Sequence, residues 1–171
     1  MPMKSHSDSI FWKVVSGELP LSKAAETLGW QFDRYDELNG VVHVNYRVTG
    51  ALLNPVGNVQ GGLLSAMLDD CMGPAVYLTL PPSKIALTIE SKTQFIRTAR
   101  PGTIRGEGKI EHSKGGLFFT SGKLIDTDGK VIATSSAIFR ESKLRWKGLV
   151  IPDSIAEGVI RWKLRRIANR L

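Results

Sequence analysis

A single cysteine, Cys71, stands in this chain of 171 residues, so no disulfide forms within it and the fold must rest on packing. Its neighbours Leu68, Met72 and Ala75 are apolar and no histidine lies near it in sequence. It therefore reads as a small buried hydrophobe rather than a nucleophile. Histidine is almost as scarce. His6, His43 and His112 share no metal-ligand spacing with Cys71 or with one another, which argues against a zinc site. A Gly-x-Ser-x-Gly elbow and a lysine-bearing phosphate loop are both missing, which excludes the hydrolases and nucleotide-binding enzymes built on them. The longest apolar run, Leu63 to Leu80, is broken by Asp69-Asp70, so a membrane span is not expected. Met1 to Asp8 contain no apolar core of a secretory signal. Together these absences point to a reducing cytoplasm.

What is present is ordinary in amount and uneven in place. Hydrophobic residues make up 42% and charged residues 23%, a composition that suits one soluble domain with a single core. The net charge of +7 is concentrated at one end. Residues 140–171 hold nine Lys/Arg against three Asp/Glu, while residues 1–139 hold fourteen against thirteen. A nearly neutral body with a basic tail is not the signature of a nucleic-acid-binding domain, and no nucleic-acid partner is expected.

Periodicity divides the chain. Ile10, Phe11, Val14 and Val15 fall at helical spacing, Pro20 interrupts, and Ser22 to Gly29 has the form of an N-capped helix closed by glycine. From Val41 the period changes to two, with Val42, Val44, Tyr46 and Val48 alternating with polar residues. Further strands are predicted over about 84–97, 103–112, 116–126 and 130–140. Arg100-Pro101-Gly102, Lys114-Gly115-Gly116 and Asp126-Thr127-Asp128-Gly129 mark turns between them. The continuous apolar segment from Leu63 predicts a helix buried all round. One strand, one long helix and an antiparallel meander make an α+β fold with the sheet wrapped around the helix. The expected division is a helical extension over 1–35, a body over 36–142 and a basic tail over 143–171. In the tail, Pro152-Asp153-Ser154 opens a helix with Ala156, Ile160, Leu164, Ile167 and Leu171 on one face and Arg161, Arg165, Arg166 and Arg170 largely elsewhere. Docking on protein is the favoured reading of residues 152–171, and attraction to anionic lipid is the alternative.

The chemistry concentrates between Asn54 and Asp70. Asn54-Pro-Val-Gly-Asn-Val-Gln60-Gly61-Gly62 leads directly into the apolar helix, so bare backbone N–H groups stand at its N-terminus, facing any developing negative charge. A carboxylate in so apolar a segment is costly unless its surroundings use it. Asp69 and Asp70 point about a quarter-turn apart on such a helix, so spacing alone leaves open which of them is used. Donors and a carboxylate together suit acyl transfer.

The order of these segments resembles the hotdog fold, and specifically the acyl-CoA thioesterases of the phenylacetate-degradation (PaaI-like) type, over about residues 18–140. The residues carrying the resemblance are Gly17-Glu-Leu-Pro20, Leu28-Gly29, Gly40-Val41, Asn54-Pro55-x-Gly57-x-x-Gln60-Gly61-Gly62, Asp69, Thr88-Ile-Glu90, Gln94-Phe95-Ile-Arg97-x-x-Arg100-Pro101, Gly106, and Asp128-Gly129-Lys130-Val131-Ile-Ala133. The resemblance implies hydrolysis of an acyl-CoA thioester across a homodimer interface, with dimers commonly paired into tetramers. No cofactor is expected, CoA being part of the substrate. By the same resemblance Gly61, with Gly62 beside it, gives its N–H to the thioester carbonyl. Asp69 from the facing subunit acts as nucleophile or general base. Asn54 holds the water or the carbonyl, and Thr88 stands beside the leaving sulfur.

Two positions depart from that pattern. Gln60 occupies the slot usually held by histidine; its amide donates but carries no proton in catalysis. Gly73 replaces a helix Ser/Thr of some relatives. Arg97, Arg100 and Lys114 are candidates for meeting CoA phosphates, although each alone reads as surface charge. Two alternatives remain open: a non-catalytic hotdog protein that binds acyl-CoA, and a membrane- or partner-docking protein acting through its basic tail.

Overall fold

The computed structural model describes residues 7–168. His6, Arg170 and Leu171 lie outside the described residues, as does the side chain of Ile167. Two short helices open the chain, α1 (Ile10–Val15) and α2 (Lys23–Leu28). The second is capped as its sequence predicts. Ser22 Oγ accepts the Ala25 N–H, and Gly29 closes the helix at φ 72°, a backbone angle that favours glycine.

Strands β1 (Trp30–Asp36), β2 (Val41–Val48), β3 (Lys84–Phe95), β4 (Gly102–Lys114), β5 (Leu117–Ile125) and β6 (Val131–Lys143) form one antiparallel sheet in the order β1-β2-β4-β5-β6-β3. Strand β1 corrects the expected helical extension over residues 1–35, because six of its seven residues lie there and five of those six pair with β2. A bulge between Phe32 and Arg34 breaks the alternation that would have revealed it. The tail is also more than a helix. After β6 comes a small hairpin, β7 (Arg145–Trp146) and β8 (Leu149–Val150), and then α4 (Asp153–Ala168).

Helix α3 (Gly61–Tyr77) crosses the concave face of the sheet. Glycines on the strands allow the close approach. A Cβ on Gly108 would lie 2.0 Å from the Cys71 carbonyl oxygen, and one on Gly122, its cross-strand neighbour, 2.8 Å from Met72 Cγ. Tyr46, fully buried, donates its hydroxyl to the Met67 carbonyl at 2.7 Å, which ties the sheet to the helix. Leu64, Met67, Leu68, Cys71, Met72, Ala75 and Val76 fill the interface. The expectation of a helix buried all round is corrected here. Gly62 is exposed, and Ala66, Asp69, Asp70, Pro74 and Tyr77 are only half-buried. One sheet covers one face of a helix, and the opposite stripe is left partly open. Helix α4 packs through Ala156 and Ile160 on Leu144, Ile151 and Ile85. It is anchored by Lys13–Glu157 and by Asp153 Oδ1, which accepts the Ser83 N–H at 3.0 Å. No helix among the described residues is long and apolar enough to cross a membrane.

Candidate active site

The loop before α3 is shaped by Asn54. Its Oδ1 accepts the N–H groups of Val56 and Asn58, both at 3.1 Å, and its own N–H donates to the Asn58 carbonyl at 2.8 Å. That turn commits the side-chain oxygen expected to hold water or substrate, so Asn54 positions the loop. Gln60, extended at φ −62° and ψ 130°, is the N-cap of α3, and its exposed side chain makes no capping bond. Its carbonyl accepts from the N–H groups of Leu63 and Leu64. The Gly61 and Gly62 N–H groups have no hydrogen-bond partner among the described residues, as the first turn of a helix dictates. The Phe95 ring stands 3.5 Å from where a Cβ on Gly61 would be.

Two turns along the helix, Asp69 Oδ1 accepts a 3.0 Å hydrogen bond from Thr88 Oγ1. Thr88 is thereby seen holding the carboxylate. A bulge at Ile89 follows it directly, re-aiming the strand at this point. Burial raises the Asp69 carboxyl above the ordinary carboxylate range, and the Thr88 bond partly offsets that. Asp69 has no ion pair among the described residues. Asp70 is further perturbed: burial, with the nearby Asp69 charge, pushes its carboxyl from 3.8 up to about 7. Its Oδ2 is buried without a hydrogen-bond partner. By contrast Cys71 is fully buried, and burial raises its thiol far above the ordinary range, which keeps it protonated and inert.

Asp69, Asp70, Gly73 and Thr88 border one cavity of about 410 Å³. Its walls are apolar: Ile10, Phe11 and Val14 of α1, Trp30, Tyr77, Ile85, Phe139, and Ile160 and Leu164 of α4. The absent side chain at Gly73 leaves room beside the Phe139 ring, 3.9 Å from a notional Cβ. A carboxylate thus stands at the edge of a largely apolar space, the kind of lining that takes an apolar ligand.

A single chain does not bring the remaining predicted residues together. Gly61 and Asp69 are eight positions apart on one helix, about 12 Å along its axis, too far to act on one carbonyl. Arg97, which donates to the Val131 carbonyl at 2.9 Å, lies with Arg100 at the Phe95 end of the sheet. Lys114 lies at the β4–β5 turn, near the Thr88 end. Phe95, part of the stretch that carries the resemblance but given no role there, stands over Gly61. Two further neighbours carried no clear signal in sequence: Trp30 in the cavity wall, and Tyr77, whose hydroxyl donates to the Ala86 carbonyl at 3.3 Å. Isolated aromatics in strands and helices read as core. No three His, Cys, Asp or Glu side chains among the described residues stand together as a metal-binding group.

Comparison with known proteins agrees with this architecture. Residues 56–133 match the family model described as the thioesterase superfamily. A phenylacetic acid degradation-related protein from Ralstonia eutropha JMP134 is 36% identical; the match covers 76% of this chain and 98% of that one, with a TM-score of 0.72. A thioesterase from Haemophilus influenzae superposes with a TM-score of 0.73 at 15% identity, covering 87% and 100% of the two chains. The PaaI protein of the E. coli phenylacetic acid degradation operon gives 0.67 at 19%, covering 82% and 96%; at such identities these two speak to fold alone. No curated protein sequence matches the chain. With a six-stranded antiparallel sheet wrapped on one long helix, and a relative more than one-third identical over nearly that relative's whole length, this chain belongs to the thioesterase superfamily and has its hotdog fold.

Proposed function

We propose that this protein hydrolyses acyl-CoA, or a related acyl thioester, to the free acid and the thiol, at a site completed by a second copy of the chain. One observation carries the reading: a half-buried Asp69, held by Thr88 and without an ion pair among the described residues, stands at the edge of an apolar cavity, while the free N–H groups of Gly61 and Gly62 open about 12 Å away on the same uncovered stripe of α3. A single active centre needs both, so they must come from different copies.

The sheet edge supplies the means. Among the described residues strand β3 has no neighbour on its outer side; it exposes Leu87, Ile89 and Phe95, and Ile96 just after it is exposed too. Edge strands of this kind pair readily. Two-fold pairing through β3 is antiparallel, so the Phe95 and Gly61 end of one copy meets the Thr88 and Asp69 end of the other. The same operation carries Lys114 of one copy toward Arg97 and Arg100 of the other, which gives the CoA phosphates a mixed cationic rim.

In the reaction the thioester carbonyl accepts the Gly61 N–H, and the acyl group lies in the cavity behind Asp69. Asp69 removes a proton from water as the water oxygen adds to the carbonyl carbon. The oxyanion so formed is stabilised by the helix N-terminus. Collapse expels the thiolate, which takes the proton, and leaves the acid. The raised Asp69 carboxyl makes a stronger base at neutral pH than an exposed one. Gln60 serves as an orienting donor. Its amide does not titrate, so the proton transfers fall to Asp69.

The test is thiol release across short, medium-chain and aryl acyl-CoAs, with Asp69→Asn and Asp70→Asn beside the natural protein. Loss of turnover in Asp69→Asn with turnover retained in Asp70→Asn is the expected result. Tight CoA-ester binding with no turnover by the natural protein selects the non-catalytic binder instead.

A further inference from the structure

Helix α4 has two faces with different company. Ala156, Ile160 and Leu164 turn inward, onto Leu144, Ile151 and the cavity wall. The outward stripe is Ile155, Trp162 and Arg166, at helical spacing, and the first two are exposed. Beside it stands the β7–β8 hairpin, in which Trp146 pairs with Leu149, so the two side chains share a face. The Trp146 and Trp162 rings lie 5.6 Å apart, which joins hairpin and helix into one apolar surface. Leu149 is 73% exposed, and Val150 is also open. The hairpin is tight: Lys147 and Gly148 both have positive φ, 49° and 83°, the backbone of a two-residue primed turn. That turn projects Lys147 at the tip.

The charge around this surface has one sign. Residues 143–168 contain seven Lys/Arg, at 143, 145, 147, 161, 163, 165 and 166, and two acids, Asp153 and Glu157. Both acids are engaged inward: Asp153 accepts the Ser83 N–H, and Glu157 pairs with Lys13 and with Arg161. Lys147 lies 5.6 Å from the Trp146 ring centroid and Arg166 5.1 Å from that of Trp162, so cations ring the aromatics.

We propose that this surface is a peripheral attachment site for an anionic lipid bilayer, separate in residues and in test from the thioesterase reading. Exposed tryptophans with flanking leucine and isoleucine suit the boundary between headgroups and acyl chains, where an amphipathic ring keeps one side wet. Lysine and arginine around them add attraction to anionic headgroups. A second copy seated by two-fold symmetry fits worse, because it would set this cationic rim against itself. The sequence alone favoured docking of the tail on protein. In the structure the inner face of α4 docks on protein, and the outer face is the one this proposal assigns to lipid.

The test is sedimentation of the full chain with vesicles of phosphatidylcholine alone and of phosphatidylcholine mixed with phosphatidylglycerol, at low and high salt. Binding to the mixed vesicles that weakens with salt, and a blue shift of tryptophan emission on binding, are expected. Lys147→Asn keeps the turn, since asparagine tolerates positive φ, and lowers partitioning about fivefold by removing one cation. Leu149→Glu, at an exposed hairpin position, abolishes the salt-sensitive binding with thiol release unchanged. The proposal is overturned by no sedimentation with either vesicle, or by binding indifferent to both lipid charge and these variants. A loss of oligomer size in Leu149→Glu with lipid binding intact also overturns it and marks the surface as a contact between copies.

Discussion

Gly61→Pro isolates one hydrogen atom. Gly61 is the first residue of α3, the position at which proline's fixed φ fits a helix and no intrahelical bond is lost. The preceding Gln60 is already extended at φ −62° and ψ 130°, as a residue before proline must be. A Cβ at position 61 meets the Phe95 ring at 3.5 Å, an ordinary van der Waals contact. The helix therefore tolerates the change, and the N–H is removed. Losing one preorganised oxyanion donor raises a barrier by about 2.7–4 kcal/mol, or roughly a hundred- to a thousandfold in kcat. Gly61→Ala is the partner variant, because it adds the same Cβ and keeps the N–H. The assay is steady-state thiol release from the best acyl-CoA of the panel, with circular dichroism and oligomer size recorded for each variant. The expected outcome is kcat near the natural value in Gly61→Ala and a fall of two to three orders in Gly61→Pro. A folded Gly61→Pro protein turning over at the natural rate refutes the oxyanion role. Equal losses in both variants refute it too, by assigning the effect to crowding.

Asp69→Asn should lower kcat about 10²–10⁴-fold as a general base is lost, and a full rate in the folded variant would remove Asp69 from the mechanism. Asp70 makes a prediction about stability. Its folded carboxyl is raised from 3.8 to about 7, so the native state holds the proton more tightly than the unfolded chain. The contribution of Asp70 to stability is then greatest below about pH 4, falls as pH rises toward 7, and levels off above. At about 1.36 kcal/mol per pH unit the full fall is about 4 kcal/mol. Urea midpoints at fixed protein concentration should show this slope in the natural protein and a flatter line in Asp70→Asn; parallel lines would show that burial of Asp70 has no such effect. Gly108→Ala forces a methyl to within 2.0 Å of the Cys71 carbonyl oxygen, with backbone on both sides. A loss of about 1–3 kcal/mol or more is expected, and an unchanged melting temperature would mean that α3 does not sit this close to the sheet.

Local features of the sequence carried much of the fold because their causes are local. Ser22 and Gly29 bound a helix through a cap and a positive φ, each needing only its neighbours. Asp126 Oδ1 takes the N–H groups of Asp128 and Lys130, so the turn there is written within five residues. The long apolar segment after Gly62 announced the central helix for the same reason. Strand β1 was hidden because a bulge at Asp33 breaks its alternation, and the 145–150 hairpin because Lys147-Gly148 is not one of the strong turn pairs.

The site divides along the same line. The sequence by itself determined the free amides at Gly61 and Gly62 and the carboxylate eight residues on, since helix geometry orders both. Only the tertiary structure decided that Thr88, nineteen residues from Asp69, holds that carboxylate, and that α1 and α4 wall the cavity. It also decided that Arg97 and Lys114 lie at opposite ends of the sheet. Such facts depend on which distant segments pack together, and that is set by the summed burial of the whole core rather than by the residues of any one segment.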